Sequence, residues 1–304
     1  MVTISYPPAP SAPVPKSIRE GIETGALQAE RQEGVHRTYL VTDSENRYFY
    51  KDYTIRREPL AMLAERMAFA GARESAALFY REPLAWTRVE PGERAANEAR
   101  ALRQWQAIGI RTPRVLGYDD TGLVLEAIEG TTLKDKVHDG TLEDTHIERF
   151  VDALHTAREA ALYIEDPSYL HNDPNLTNAL ASAEHVTLID PGILTKELPV
   201  RELDAAFSLS YLIGLEGIAR DARTAPREHK RIKEMTDAFA DAYLERLAPT
   251  ARERMLDYAH PVSERHIQRM RRIPIAPFQR FARWLSYSDA EALDRITTRI
   301  RTTP

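Results

Sequence analysis

The stretch "YLHNDPNLTNAL", residues 169–180, decides how this sequence is interpreted. It places one His, one Asp and three Asn between apolar ends. A cluster of turn-forming residues commonly marks a surface connection. Asn175, Leu176 and Thr177 also match the N-glycosylation pattern, which has a meaning only in a secreted chain. The residues that follow the stretch favour a more specific interpretation.

A β-hairpin is predicted directly after this loop. The segments "ALA" and "VTLI" have strand composition, and "SAEH" between them has the length of a hairpin connection. Asn178 enters the first strand and Asp190 leaves the second. Because the two strands of a hairpin are antiparallel, we expect both side chains at the open end of the hairpin.

The loop itself has the pattern H-x-D-x-x-x-x-N, formed by His171, Asp173 and Asn178. Pro174 disfavours a helical conformation for the residue before it, so Asp173 is expected to be extended, with its carboxylate facing a substrate. Carboxylate and amide oxygens are hard ligands that suit Mg²⁺ carrying nucleotide phosphates. The sequence therefore predicts a magnesium site that includes Asn178 and Asp190.

The run "HNDPNLTN" followed by "LIDPG" resembles the catalytic loop and the metal-binding aspartate of the protein-kinase-like fold. The resemblance implies that Asp173 accepts or orients the proton of a hydroxyl substrate, with His171 in the same catalytic motif. It also implies that Asn178 and Asp190 hold Mg²⁺ and that the nucleotide is ATP.

Further parts of that fold occur in the expected order. Lys51 lies late in a third β-run, as the phosphate-binding lysine does, and Glu98 lies on a following helix, where its ion-pair partner belongs. The nucleotide-covering turn contains only Gly34, and one glycine permits one close backbone approach to phosphate. Because a predicted helical insertion separates Lys51 from Glu98, Arg81 and Arg88 are the alternative phosphate contacts.

The segment "LVLEAIEGTTLKD" resembles the hinge that binds adenine. The resemblance makes Leu125 the gatekeeper and directs the backbones of Glu126 and Ile128 toward adenine. Further on, "VRELDAAFSL" resembles a buried helix whose Asp204 supports the catalytic loop.

The predicted fold class is α+β, as a bilobal protein-kinase-like fold with a small β-rich N-lobe and a larger, mainly helical C-lobe. The β-runs are "ALQAER", "RTYLVT" and "RYFYKDY", then two strands within 112–130, and helices are predicted at 57–80 and 94–109. The predicted domains are a disordered Pro-rich tail (1–15), an N-lobe (16–129, with a helical insertion at about 55–90) and a C-lobe with a helical C-terminal extension (130–304).

Composition restricts the functional classes. The chain has 43% hydrophobic and 29% charged residues and a net charge of −5, which excludes a globally basic nucleic-acid binder. It contains no cysteine, which excludes disulfides, thiolate metal sites and cysteine nucleophiles. There is neither a leader pattern nor an apolar run long enough for a transmembrane segment, so we expect a soluble, cytoplasmic protein.

Two positions depart from the pattern of typical protein kinases. Position 175 is Asn rather than the lysine that steadies the γ-phosphate, and Asp190 is followed by Pro-Gly rather than Phe-Gly. The sequence is most similar to lipopolysaccharide core kinases, RIO kinases and the kinase subunit of the KEOPS complex. Aminoglycoside-phosphotransferase-like small-molecule kinases are a close second.

We therefore expect an ATP- and Mg²⁺-dependent phosphotransferase. Peptide-directed kinases have a long segment ending in Ala-Pro-Glu after the metal-binding Asp, whereas Asp190 and Asp204 are only 14 positions apart and no Ala-Pro-Glu lies between them. This favours a small-molecule, sugar or lipid-linked hydroxyl as acceptor. The alternatives are an atypical protein Ser/Thr kinase or regulatory ATPase of the KEOPS-kinase or RIO type, and an ATP-binding pseudokinase scaffold.

One segment has no place in this scheme. Residues 264–284 contain six Arg and one Glu, interleaved with Ile, Phe and Trp. One interpretation is a partly solvated helical face whose apolar residues reach the core. The other is a docking surface for an anionic partner such as RNA, acidic lipid or a phosphorylated substrate.

Overall fold

The computed structural model of the chain describes residues 15–32, 37–43, 46–54, 91–171, 174–191, 226–253 and 290–302. Within these residues the protein is α+β, with a five-stranded antiparallel sheet, a small three-stranded sheet and a mostly helical remainder. The prediction of an α+β chain with a β-rich first part is therefore confirmed. The chain divides into two compact units.

The helices of the described residues are α1 (Pro15–Thr24), α2 (Pro91–Ala107), α3 (Leu133–Asp139), α4 (Asp144–Ile164), α5 (Pro226–Arg246) and α6 (Ala290–Thr302). Their strands are β1 (Gln28–Gln32), β2 (Arg37–Thr42), β3 (Arg47–Asp52), β4 (Val115–Tyr118), β5 (Gly122–Glu126), β6 (Thr131–Thr132), β7 (Ala179–Ala181) and β8 (Val186–Leu188). Short 3₁₀ turns occur at Pro167–Tyr169 and Leu176–Asn178.

The first unit is built on the five-stranded sheet, whose strand order is β1-β2-β3-β5-β4. These strands fall on the five β-runs predicted from the sequence. Side chains alternate between the two faces of a strand, so Tyr48 and Tyr50 of β3 share one face. They form a buried cluster with Val41, Val124 and Ile18.

Helix α1 supplies Ile18 to this cluster and was not predicted. Its first residue, Pro15, ends the segment that the sequence assigned to a disordered tail. Proline is favoured at the first helical position because its missing N–H has no partner there in any helix. The N–H of Lys16 instead donates to the Asp119 carboxylate, 3.1 Å away in the turn between β4 and β5.

The second unit contains residues 104–112 together with the described residues from Glu129 onward. The predicted hairpin is present as β7 and β8, and β6 adds a third strand at the edge of β7. A strand of two residues is too short to show the alternation that predicts a strand, so β6 was not predicted.

Helices form most of the second unit. Helix α4 packs on α5 through the rings of Phe150 and Phe239, whose centroids are 6.1 Å apart. An ion pair of 2.6 Å between Arg246 and Asp152 joins the same helices. Across the described residues, no helix combines the length and the apolar composition needed to cross a membrane.

Several sequence predictions fall on residues that lie outside the described ones. These are the tail before Pro15, the helix at 57–80 with the insertion at about 55–90, and the Arg-rich segment 264–284. The same holds for five candidate functional residues, namely Gly34, Arg81, Arg88, Asp173 and Asp204.

Candidate functional site

A buried ion pair joins Lys51 and Glu98 in the first unit. Lys51 is the fifth residue of β3, and Glu98 lies on α2. The Lys51 Nζ is 2.6 Å from Glu98 Oε1, and the side chains are 11% and 7% exposed. A charge that is removed from water to this extent requires a partner of opposite sign. The structure therefore brings together the two residues that the resemblance paired.

The position of Glu98 follows from the packing of α2. Small and apolar residues of the helix (Ala95, Ala99 and Leu102) are fully buried. Glu98 shares this inward face because residues three and four positions apart lie on the same side of a helix. The carboxylate is thus directed into the unit by the helical periodicity rather than toward water.

A third polar side chain, which the sequence did not predict, completes this cluster. The Tyr53 hydroxyl donates to Glu98 Oε2, and the Arg94 guanidinium lies over the Tyr53 ring, 5.4 Å from its centroid. Tyr53 is two positions beyond Lys51, so strand alternation places both on the same face of the sheet. The two-residue spacing of Lys51 and Tyr53 in the run "RYFYKDY" was the sequence signal from which Tyr53 could have been predicted to lie beside Lys51.

The residues of the predicted hinge lie at and after the end of β5. Leu125 is buried within the sheet between Phe49 of β3 and Val115 of β4. The N–H of Glu126 donates to the Arg114 carbonyl at 2.9 Å. An adenine contact at Glu126 therefore has to use its carbonyl oxygen. Ile128 follows in a segment without regular structure.

In the second unit, His171 is fully buried against Trp105, with ring centroids 5.0 Å apart. Neither ring nitrogen has a partner of hydrogen-bonding geometry among the described residues. Burial lowers the pKa of His171 to about 4, although Asp190 and nearby backbone carbonyls act in the opposite direction. The imidazole is therefore neutral at physiological pH and acts as a packing group at the start of the loop.

The end of α2 fixes the segment that leads into this loop. The indole N–H of Trp105 donates to the carbonyl of Tyr169 at 2.6 Å. Gln104 accepts a hydrogen bond from the Ser168 hydroxyl at 2.7 Å and donates to the Asp166 carboxylate at 3.2 Å. These bonds hold the chain just before His171 in one conformation.

At the open end of the hairpin, the backbone of Asn178 lies beside the residue that precedes Asp190. The N–H of Ile189 donates to the Asn178 carbonyl at 3.0 Å, so the residue before Asp190 is bonded to Asn178. Asn178 is 7% exposed, and Asp190 has a left-handed backbone with φ of 53°. Asp and Asn tolerate this conformation better than other residues with a Cβ, and such positions concentrate at functional sites.

Asn175 has a structural role in the loop. Its side-chain oxygen accepts from the N–H of Thr177 at 2.9 Å and from the Thr177 hydroxyl, and it caps the 3₁₀ turn Leu176–Asn178. This turn delivers Asn178 to the beginning of β7. Asn175 thus stabilises the loop itself.

The donors available for a metal ion at the hairpin are oxygen atoms. Among the residues that the structure describes, no three His, Cys, Asp or Glu side chains are grouped so as to hold a metal. Asn178 and Asp190 supply one amide and one carboxylate oxygen, the donor types that Mg²⁺ binds in proteins. The donor chemistry at the open end of the hairpin fits a hard cation that also carries phosphate oxygens.

Comparison of the chain with protein-family models gave no match, and comparison with curated proteins gave none either.

Proposed function

We propose that this protein is an ATP- and Mg²⁺-dependent phosphotransferase that transfers the γ-phosphate to a hydroxyl group. The observation that carries the proposal is the buried Lys51–Glu98 pair, with its lysine on a sheet strand and its glutamate on the following helix. In this proposal the two units are the small and large lobes of a protein-kinase-like fold.

Each residue of the proposed site then has a defined task. Lys51, held by Glu98, binds the α- and β-phosphates, and Asn178 with Asp190 holds Mg²⁺. Asp173 accepts or orients the proton of the hydroxyl substrate. Mg²⁺, when bound, neutralises phosphate charge during transfer. Because such catalysis depends on positioning and electrostatic stabilisation, all of these groups have to be present in one protein.

The ion pair supports this role because it keeps a cation available in a site of low exposure. A free lysine at the end of a strand is commonly a solubilising residue that points into water. Lys51 is instead nearly buried and faces a carboxylate on another element. Electrostatic interactions are stronger where water is excluded, so a lysine held in this way binds phosphate oxygens effectively.

We propose a small-molecule, sugar or lipid-linked hydroxyl as the acceptor. The support is the short separation of Asp190 and Asp204 without an Ala-Pro-Glu anchor, which leaves little chain for a peptide platform. The described C-terminal part is helical, in α5 and α6, and provides no exposed strand on which an extended peptide could pair.

The test uses radiolabelled ATP with Mg²⁺ and two acceptor mixtures, a metabolite extract and a protein extract. The expected result is label on a small molecule, and loss of that label with the Asp173→Asn variant. The control is Asp139→Asn, the same change at an exposed aspartate at the end of α3.

Each other outcome assigns a different function. Label on proteins alone would replace the small-molecule acceptor by a protein substrate. Release of free phosphate without an acceptor would indicate a regulatory ATPase. MgATP binding without turnover would indicate a scaffold, and absence of MgATP binding would overturn the proposal.

A further inference from the structure

The Glu98 carboxylate is bound through both of its oxygens. Lys51 Nζ contacts Oε1, and the Tyr53 hydroxyl donates to Oε2. Glu98 is one of the buried charged residues of the first unit. Both donors lie on the same face of the sheet, at and just beyond the end of the central strand β3, whereas the acceptor comes from α2.

We infer that Tyr53 is a positioning residue, which orients Glu98 so that Lys51 is held in its phosphate-binding conformation. This inference rests on the proposed role of Lys51 as the phosphate-binding cation. Nothing in the protein-kinase-like motif of the loop or hairpin requires a tyrosine at this place. The assignment follows from the contacts of Tyr53 alone.

The physical reason is the freedom of a glutamate side chain. The terminal torsion of Glu is broad, so a carboxylate held at one oxygen still rotates about that contact. A second donor on the other oxygen fixes the plane of the carboxylate. Hydrogen bonds to charged groups are stronger than those between neutral groups, and this one forms in a largely buried place.

The orientation of Tyr53 is fixed in turn by two further contacts. Its backbone N–H donates to the Thr121 carbonyl at 3.1 Å, which extends the pairing of β3 with β5 by one residue. The Arg94 guanidinium covers one face of its ring at 5.4 Å. Arg94 is four positions before Glu98, so it lies on the same side of α2. The tyrosine is thus clamped between the sheet and the helix that it connects.

The experiment measures how accessible the Lys51 amine is in the protein without nucleotide. A small amine-acylating reagent is applied at pH 7, and modification of Lys51 is followed by mass spectrometry relative to the exposed Lys230. Tyr53→Phe removes only the hydroxyl. The expected result is a rise in Lys51 modification of about tenfold, the factor that one hydrogen bond to a charged group supplies.

Two further variants separate this role from a general effect on the fold. Tyr48→Phe is the same change on the same strand, but Tyr48 lies in the buried cluster on the opposite face, so the Lys51 rate should stay at the wild-type value. Incorporation of 3-fluorotyrosine at position 53 keeps a hydroxyl and should restore the slow rate.

An unchanged rate in Tyr53→Phe, or no recovery with 3-fluorotyrosine, would overturn the positioning role. Because no nucleotide or acceptor is present, the result does not depend on phosphotransferase activity. If the protein proved inactive with ATP, the proposed function would be contradicted. The modification rates would still decide whether Tyr53 holds Glu98 in place.

Discussion

Lys51 Nζ lies 2.6 Å from Glu98 Oε1, although 47 positions separate the two residues in the sequence. The contact ties α2 to β3, a strand in the middle of the five-stranded sheet. Because both groups are largely buried, the pair contributes to folding as well as to the proposed chemistry. These two contributions can be separated by mutation.

Replacement of Lys51 by Met should abolish phosphotransfer and also lower stability by about 3 kcal/mol, because an unpaired carboxylate remains buried. The double variant Lys51→Met with Glu98→Gln should recover most of that stability, since no lone charge remains. Urea unfolding measures the stability, and an ATP-consumption assay measures the activity.

The control for this comparison is Lys230→Met, because the Lys230 side chain is 76% exposed and its ion pair is a surface one. It should change neither stability nor activity by a measurable amount. If Lys51→Met were as stable as the wild type, the pair would not be buried in solution. If it were also fully active, the phosphate contact would pass to Arg81 or Arg88.

The sheet and the hairpin were predictable because their sequences contain the physical signals that specify them. Alternating Tyr, Phe and Val residues with turn residues between them define β2 and β3, and "SAEH" defines the hairpin turn. Helix α1 was missed because its burial depends on Ile18, with Ile22 beside it, packing against a sheet formed by distant segments. A local pattern carries no information about such a partner.

The candidate site likewise has residues that were predicted from the sequence and features that were not. Lys51 and Glu98 were paired from the order of motifs, because no local signal links two residues so far apart. Tyr53 was overlooked, since its role exists only after α2 has packed against the sheet. The left-handed backbone of Asp190 could not be predicted from the sequence either, because an aspartate permits this conformation without requiring it.

Asp190 allows a test of metal binding that keeps the backbone conformation. Asp190→Asn should weaken Mg²⁺-dependent ATP binding, because a ligand charge is lost while Asn still tolerates a positive φ. Asp190→Ala should show the same loss together with a decrease in stability of about 1 kcal/mol from the left-handed backbone. Titration calorimetry with MgATP and urea unfolding measure the two effects. Equal MgATP affinity for wild type and Asp190→Asn would remove Asp190 from the metal site.

Gly122 is predicted to be essential for the position of the strand that carries Lys51. A Cβ at this residue would lie 2.3 Å from the Lys51 carbonyl oxygen and 2.8 Å from the Tyr50 ring, so β3 and β5 would have to separate. Gly122→Ala should therefore cost about 3 kcal/mol of stability and also reduce activity.

The matched control is Gly109→Ala. Gly109 has a φ of 85°, and no atom of the residues that the structure describes lies within 4 Å of an added Cβ. The expected cost is about 1 kcal/mol, from the backbone conformation alone. A smaller loss in Gly122→Ala than in Gly109→Ala would show that the close approach of β5 to Lys51 is not present in solution.

Asp119 makes the stability of the first unit depend on pH. Burial raises the pKa of its carboxyl, but hydrogen bonds from Thr121, Lys16 and Gly122 outweigh this effect and leave the pKa below its ordinary value of 3.8. The distances are 2.6 Å from the Thr121 hydroxyl, 3.1 Å from the Lys16 N–H and 3.2 Å from the Gly122 N–H. This one carboxylate thus links the start of α1 to the turn between β4 and β5.

A folded-state pKa below the unfolded one means that the carboxylate stabilises the fold fully above pH 3.8, and that this contribution is lost as the pH falls further. Asp119→Asn should therefore lower stability at pH 7 by at most about 1 kcal/mol, because the group is partly exposed. The difference from the wild type should shrink at a low pH, well below 3.8, where the wild-type carboxylate becomes protonated. Urea midpoints at both pH values measure it, with the exposed Asp120→Asn as control. A difference that persisted at low pH would mean that the turn geometry, rather than the charge of Asp119, holds α1 in place.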